Sequence, residues 1–248
     1  MPIYDYPDFK RNAVQPIECI KEGWELIKDR FWLFVGMSVV GILIGSSVPF
    51  GILMGPMMCG IFLALFRQMR CDSVEFSTLF KGFDYFGQSL IASLLHFIPI
   101  VIVMLPFNLI FFLGAILTTP SERGEAGAIP AALVAAILIG VLVILLVVMI
   151  FSVLFMFAYP LIVERNLGGF DAVKLSFKAG LANFWRLLGL MLLNGLLTLG
   201  GLLLCYVGLF FVLPITFAAL ANAYRQVFGV KAATSPYPPA PPVFGEAA

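Results

Sequence analysis

Residues 31–66 read FWLFVGMSVVGILIGSSVPFGILMGPMMCGIFLALF and contain no Asp, Glu, Lys or Arg. A bilayer core of about 30 Å is crossed by about 20 apolar residues in a helix, so this stretch is too long for one crossing and long enough for two. Its middle, Ser46-Ser47-Val48-Pro49-Phe50-Gly51, gathers residues that interrupt helices. The stretch predicts a helical hairpin in lipid.

The composition asks for the same solvent. Of 248 residues, 61% are hydrophobic and 12% charged, with a mean hydropathy of +1.04. Soluble domains have about 45–50% apolar and 25% charged residues. So few charges cannot cover a core in water. The net charge of +1 gives no overall field for nucleic acid or an acidic partner, so membrane lipids are the expected partners and nucleic acid is not. Cys19, Cys59, Cys71 and Cys205 have no metal-ligand spacing and read as free thiols. The first 30 residues mix charged and apolar positions and lack the short apolar run of a signal peptide.

Three further stretches, 86–120, 126–163 and 187–224, are also free of charge, and the last is interrupted at Gly200-Gly201. The expected fold is therefore an all-α polytopic membrane protein. Six transmembrane helices form three hairpins, at about 31–47, 51–69, 88–116, 130–163, 184–201 and 203–226. The third and fourth runs exceed what a bilayer needs, so tilt, kinks at Pro99 and Pro106, or a protruding end must absorb the surplus. Of the 15 Lys and Arg residues, all but Arg123 fall before the first span, between the second and third, between the fourth and fifth, or after the sixth. Basic loops stay cytoplasmic, which predicts cytoplasmic N- and C-termini.

The outer hairpins resemble each other. Phe31-Trp32-Leu33-Phe34-Val35-Gly36 matches Phe184-Trp185-Arg186-Leu187-Leu188-Gly189, and Lys21-Glu22-Gly23-Trp24 falls on Lys174-Leu175-Ser176-Phe177. Further on, Pro56 falls on Pro214, and Phe66-Arg67-Gln68 on Tyr224-Arg225-Gln226. This reads as an internal duplication of 16–70 and 169–228. An amphipathic stretch precedes each hairpin, with stripes at Ile17, Ile20, Trp24, Ile27 and Phe31, and at Phe170, Val173, Phe177, Leu181 and Phe184. A third follows Asp72, in the capping role, with Phe76, Leu79, Phe80, Phe83 and Phe86. The organisation is thus an N-terminal cytoplasmic segment (1–15), a membrane domain (16–229) of three units, each a cytoplasmic amphipathic interfacial helix and two spans, and a Pro-rich disordered tail (230–248).

Chemistry is sparse. No Walker loop, H-E-x-x-H, dinucleotide fingerprint or nucleophile-base pair is present, so neither an enzyme nor a cofactor or metal site is expected. His96, Asn108, Asn194 and Asn222 are polar groups within spans; they line a polar seam or make separate helix-to-helix bonds. Trp24, Trp32, Phe177, Trp185, Arg67 and Arg225 are expected as interfacial anchors, as are Glu164 and Arg186. Gly41, Gly45, Gly51 and Gly55 have G-x-x-x-G spacing for close packing, and Pro56 and Pro214 mark kinks.

At Gly55-Pro56-Met57-Met58-Cys59-Gly60 and Phe80-Lys81-Gly82-Phe83 the chain resembles uncharacterised bacterial polytopic integral-membrane families with a G-P-x-x-x-G second span and a Phe-Lys-Gly-Phe-like motif after it. It is also loosely similar to the membrane domain that precedes some bacterial glycerophosphodiester phosphodiesterases. The resemblance covers 16–95 and its echo at 170–228. It implies a protein of the bacterial cytoplasmic membrane with no established activity; the phosphodiesterase activity belongs to a soluble domain and is not carried over. Two functions are expected to compete. One is a non-enzymatic, lipid-organising or complex-forming protein, with a second copy or a membrane-protein partner left open. The other is a permease or channel for a neutral or hydrophobic substrate, with its path along the polar seam.

Overall fold

The computed structural model describes residues 9–48, 52–117, 131–203 and 207–229. Gly51, the loop around Arg123, Cys205 and the Pro-rich tail lie outside them. Every regular element among the described residues is helical: α1 (Pro16–Ile27), a 3-10 turn (Lys28–Arg30), α2 (Phe31–Ser46), α3 (Met54–Met69), a 3-10 run (Phe76–Tyr85), α4 (Phe86–Leu117), α5 (Ala131–Phe155), α6 (Ala158–Arg165), α7 (Gly169–Ala182), α8 (Phe184–Leu203) and α9 (Val207–Phe228).

Four stretches are long and apolar enough to cross a membrane: Phe76–Leu113, Ile137–Arg165, Phe184–Leu203 and Val207–Phe228. This is a membrane-type helical protein. The hairpin expected at 31–69 forms two helices of 16 residues each, about 24 Å long at the usual helical rise and so short of a full hydrocarbon core.

Several boundaries depart from the sequence reading, each for a local reason. The expected fourth span is two helices, broken between Phe155 and Ala158. Buried Ser176 of α7 occupies the break: its hydroxyl donates to Leu154 O (2.7 Å) and accepts from Phe157 N–H (3.1 Å), replacing bonds the helix has lost. Pro160 then falls in the first turn of α6, where a missing N–H costs nothing. Gly200-Gly201 is no break, because α8 continues through it to Leu203. Asp72 does not cap the third amphipathic stretch; Glu75 does, in a reciprocal box with Thr78, and the stretch is a 3-10 helix. Pro56 sits in the first turn of α3 and therefore frees no carbonyl, whereas Pro214 lies inside α9.

The packing order is cyclic. The 3-10 run lies on α3, α7 on α4, α5 and α6, and α1 chiefly on α9 and α8. Each amphipathic stretch thus packs on the helices that precede it, and α1, with none before it, packs on the last pair. Segment 9–15 stitches this closure: Lys10 N–H donates to Val227 O (2.9 Å), Ala13 N–H to Asn183 Oδ1 (3.0 Å), and Gln15 N–H to Gln226 Oε1 (2.8 Å). At the centre the Tyr224 ring meets Phe66 of α3, Phe157 before α6, and Phe228, with centroids 5.0–6.2 Å apart.

The amphipathic stretches pack through small residues. The buried face of α1 is Cys19, Gly23 and Ile27; that of the 3-10 run is Thr78, Leu79 and Gly82; that of α7 includes Ala172, Ser176, Ala179 and Gly180. Contact is backbone to backbone: a Cβ on Gly82 would lie 2.0 Å from Pro56 O, and one on Gly23 would lie 2.9 Å from Ala219 N. The aromatic stripes point the other way. Ile17, Trp24, Phe76, Phe80, Phe83, Phe170, Phe177 and Leu181 are exposed; Ile27 alone of the expected α1 stripe is fully buried.

Candidate functional site

The recesses around α1 gather the most chemistry. Because α1 rests on α9 through Cys19, Gly23 and Ile27, its charged side flanks the end of α9. There a recess of about 510 Å³ is bordered by Glu18, Lys21, Glu22, Glu25, Asn222 and Arg225. Arg225 donates to Glu22 at 2.7 Å, and Lys21 lies 3.8 Å from Glu18. Glu25 accepts from Lys28 in the next turn. Asn222 is 1% exposed and its Nδ2 has no hydrogen-bond partner. Beside the recess, Cys19 donates to Gln226 Oε1 at 3.3 Å, and burial pushes its thiol pKa up to about 12.

An apolar groove of about 650 Å³ runs between α8 and α9, from Gly201 and Gly208 to Leu193 and Phe211, with Ile20 of α1 at its edge. A third recess, about 460 Å³, joins Trp24, Lys28, Arg30 and Trp32. Its aromatic wall is continuous with the groove: Phe31 stacks on Phe211 at 6.0 Å, and Trp32 meets the same ring edge-on at 5.7 Å. This arrangement suits apolar chains and polar headgroups. Among the described residues no group of three or more His, Cys, Asp or Glu is placed to hold a metal ion.

The expected polar seam is distributed over separate surroundings. His96 meets Phe155 edge-on at 5.0 Å, and exposed Asn108 bonds back to Met104 O at 2.9 Å. Asn194 lies in α8 with its Oδ1 buried and unpaired, and Asn222 faces the α1 recess. Among the described residues no hydrogen bond joins any two of these four. Thr198 bonds back to Asn194 O at 2.8 Å, within its own helix.

Trp32 and Trp185 are 72% and 80% exposed, the most open aromatic side chains of the set, and Trp24 and Phe177 are exposed too. Arg67 is half-buried in the last turn of α3. The other charged anchors are tied to protein: Arg225 to Glu22, Arg186 to Val14 O at 3.1 Å, and Glu164 to Arg70. Glu164 is a buried ion-pair partner joining α6 to the end of α3, not a headgroup anchor. Gly41 and Gly45 face Ile61 and Met54 of α3, and Gly55 faces Ser89 and Ser93 of α4, so these glycines serve packing within the chain.

Sequence reasoning missed Ser176 and Asn183. Ser176 carried a signal, since the expected duplication would set it on Gly23, and both turn out to face neighbouring backbone. Asn183 carried none; its amide reaches Lys10 O at 3.1 Å, 173 residues away in the chain.

No protein-family model, curated protein or solved structure matches this chain.

Proposed function

We propose that the protein is a non-enzymatic integral protein of the bacterial cytoplasmic membrane. Its amphipathic stretches hold the cytoplasmic leaflet, in a lipid-organising or complex-forming role. The observation that carries this is the two-faced construction of those stretches: small residues against protein, and Trp24, Phe80 and Phe177 among the aromatic side chains left outward. Aromatic side chains on a helix with a charged flank suit the boundary between headgroups and acyl chains.

In this reading the chain crosses six times as three hairpins, α2 with α3, α4 with α5, and α8 with α9, and both termini are cytoplasmic. The close approaches of Gly45 to Met54 and of Gly201 to Gly208 support the pairing of α2 with α3 and of α8 with α9. The short pair α2 and α3 spans by thinning the bilayer around it. The cyclic packing suits a duplicated chain, since each unit offers its neighbour an equivalent surface.

Trp24→Glu combined with Phe177→Glu tests the reading. In inside-out vesicles of the parent protein, cysteines placed one at a time at Ile17 and Phe170 on a Cys71→Ser, Cys205→Ser background, with Cys19 and Cys59 buried, are shielded from a membrane-impermeant maleimide. In the double-Glu protein they become labelled. Equal labelling in both proteins contradicts the reading.

A further inference from the structure

Resting on that reading, we propose that the recess between α1 and the end of α9 binds the zwitterionic headgroup of an aminophospholipid of the phosphatidylethanolamine type. The headgroup oxyanion accepts from Asn222 Nδ2, and the ammonium sits against the carboxylates of α1.

Asn222 asks for an acceptor. Its side chain is almost fully buried, it borders the recess, and its Nδ2 is unpaired. A buried amide N–H left without a partner is costly, and native proteins rarely keep one without a ligand or water to meet it. The charges around it choose the ligand. Glu18, Glu22 and Glu25 alternate with Lys21, Arg225 and Lys28, each carboxylate with a cation beside it. An anion placed there meets three carboxylates, and a cation meets the basic groups. A zwitterion satisfies both signs and Asn222 together.

The neighbourhood chooses a lipid over a free zwitterion. Exposed Ile17 and Trp24 flank the charged residues on the same helix, and Ile20, between Glu18 and Lys21 in the chain, borders the apolar groove of α8 and α9. Headgroup contacts and apolar surface thus occur within two turns of α1.

The test uses the full chain reconstituted in equal amounts of phosphatidylethanolamine and phosphatidylglycerol, extracted gently, with retained lipid identified by native mass spectrometry. Phosphatidylethanolamine is expected to be enriched about tenfold, the scale of a hydrogen bond between charged groups such as its ammonium and a carboxylate of α1. Asn222→Ala lowers the retention of both lipids, since each carries the phosphate oxyanion. Glu18→Gln with Glu25→Gln, both on the exposed side of α1, shifts retention towards phosphatidylglycerol and checks that the effect is not misfolding. Equal retention of the two lipids by the parent, enrichment unchanged by the double-Gln substitution, or total retention unchanged by Asn222→Ala overturns the proposal while leaving the membrane reading intact. Displacement by soluble glycerophosphoethanolamine at concentrations equal to the lipid overturns the assignment to a lipid. Failure of the protein to enter the vesicles overturns both.

Discussion

Cys19 and Cys71 show how far a single residue's surroundings set its chemistry. Both read alike in the sequence, as free thiols. Cys19 is sealed between α1 and α9, bonded to Gln226, with its pKa pushed up to about 12 by burial. Cys71 is exposed, at the end of α3, with a positive φ of 60°. Maleimide reacts through the thiolate. A raised pKa therefore keeps Cys19 in the unreactive thiol form below about pH 12, so at pH 8 only Cys71 of the pair should be labelled. Peptide mapping checks this, and Cys19 should react once the protein is unfolded. The sequence marked Cys19 only as one of four scattered thiols, because nothing local foretells that Gln226, far along the chain, will close over it.

At the scale of elements, the break between α5 and α6 depends on one hydroxyl. Ser176→Ala leaves Leu154 C=O and Phe157 N–H buried without partners, at a cost of about 2 kcal/mol. Unfolding in a graded denaturing detergent should show the loss, whereas a Ser176→Thr protein that fits its methyl group keeps the bonds. The amphipathic stretches were legible as elements because their stripes follow helical spacing. What the stripes face was not, since periodicity separates apolar from charged positions without telling lipid from protein. The small residues between the stripes held that information: Gly23, Gly82 and Ser176 mark where another backbone approaches. The third stretch forms a 3-10 helix, which apolar spacing alone does not distinguish from an α-helix over ten residues.

For the whole molecule, charge scarcity made the solvent plain and left assembly undetermined. The sequence placed Glu164 at a span end and expected it to reach for headgroups. The fold instead buries it against Arg70, tying the end of α3 to α6 near the centre where Tyr224 meets Phe66 and Phe157. Arg70→Met takes an ion-pair partner from the buried carboxylate of Glu164 and should cost about 3 kcal/mol, and adding Glu164→Gln should recover much of it. A double-mutant cycle on unfolding midpoints measures the coupling.

The central claim is that the outward aromatic faces lie at the headgroup boundary, and the protein carries its own reporters for it. Its three tryptophans, Trp24, Trp32 and Trp185, are all exposed and sit in α1 and in the first turns of α2 and α8. The most direct measurement is tryptophan fluorescence of the unmodified protein in vesicles of brominated lipids. Bromines close to the headgroups should quench the emission strongly, bromines at the bilayer centre weakly, and aqueous iodide little. Quenching by iodide with none from either lipid, or strongest quenching from the bilayer centre, would contradict the account.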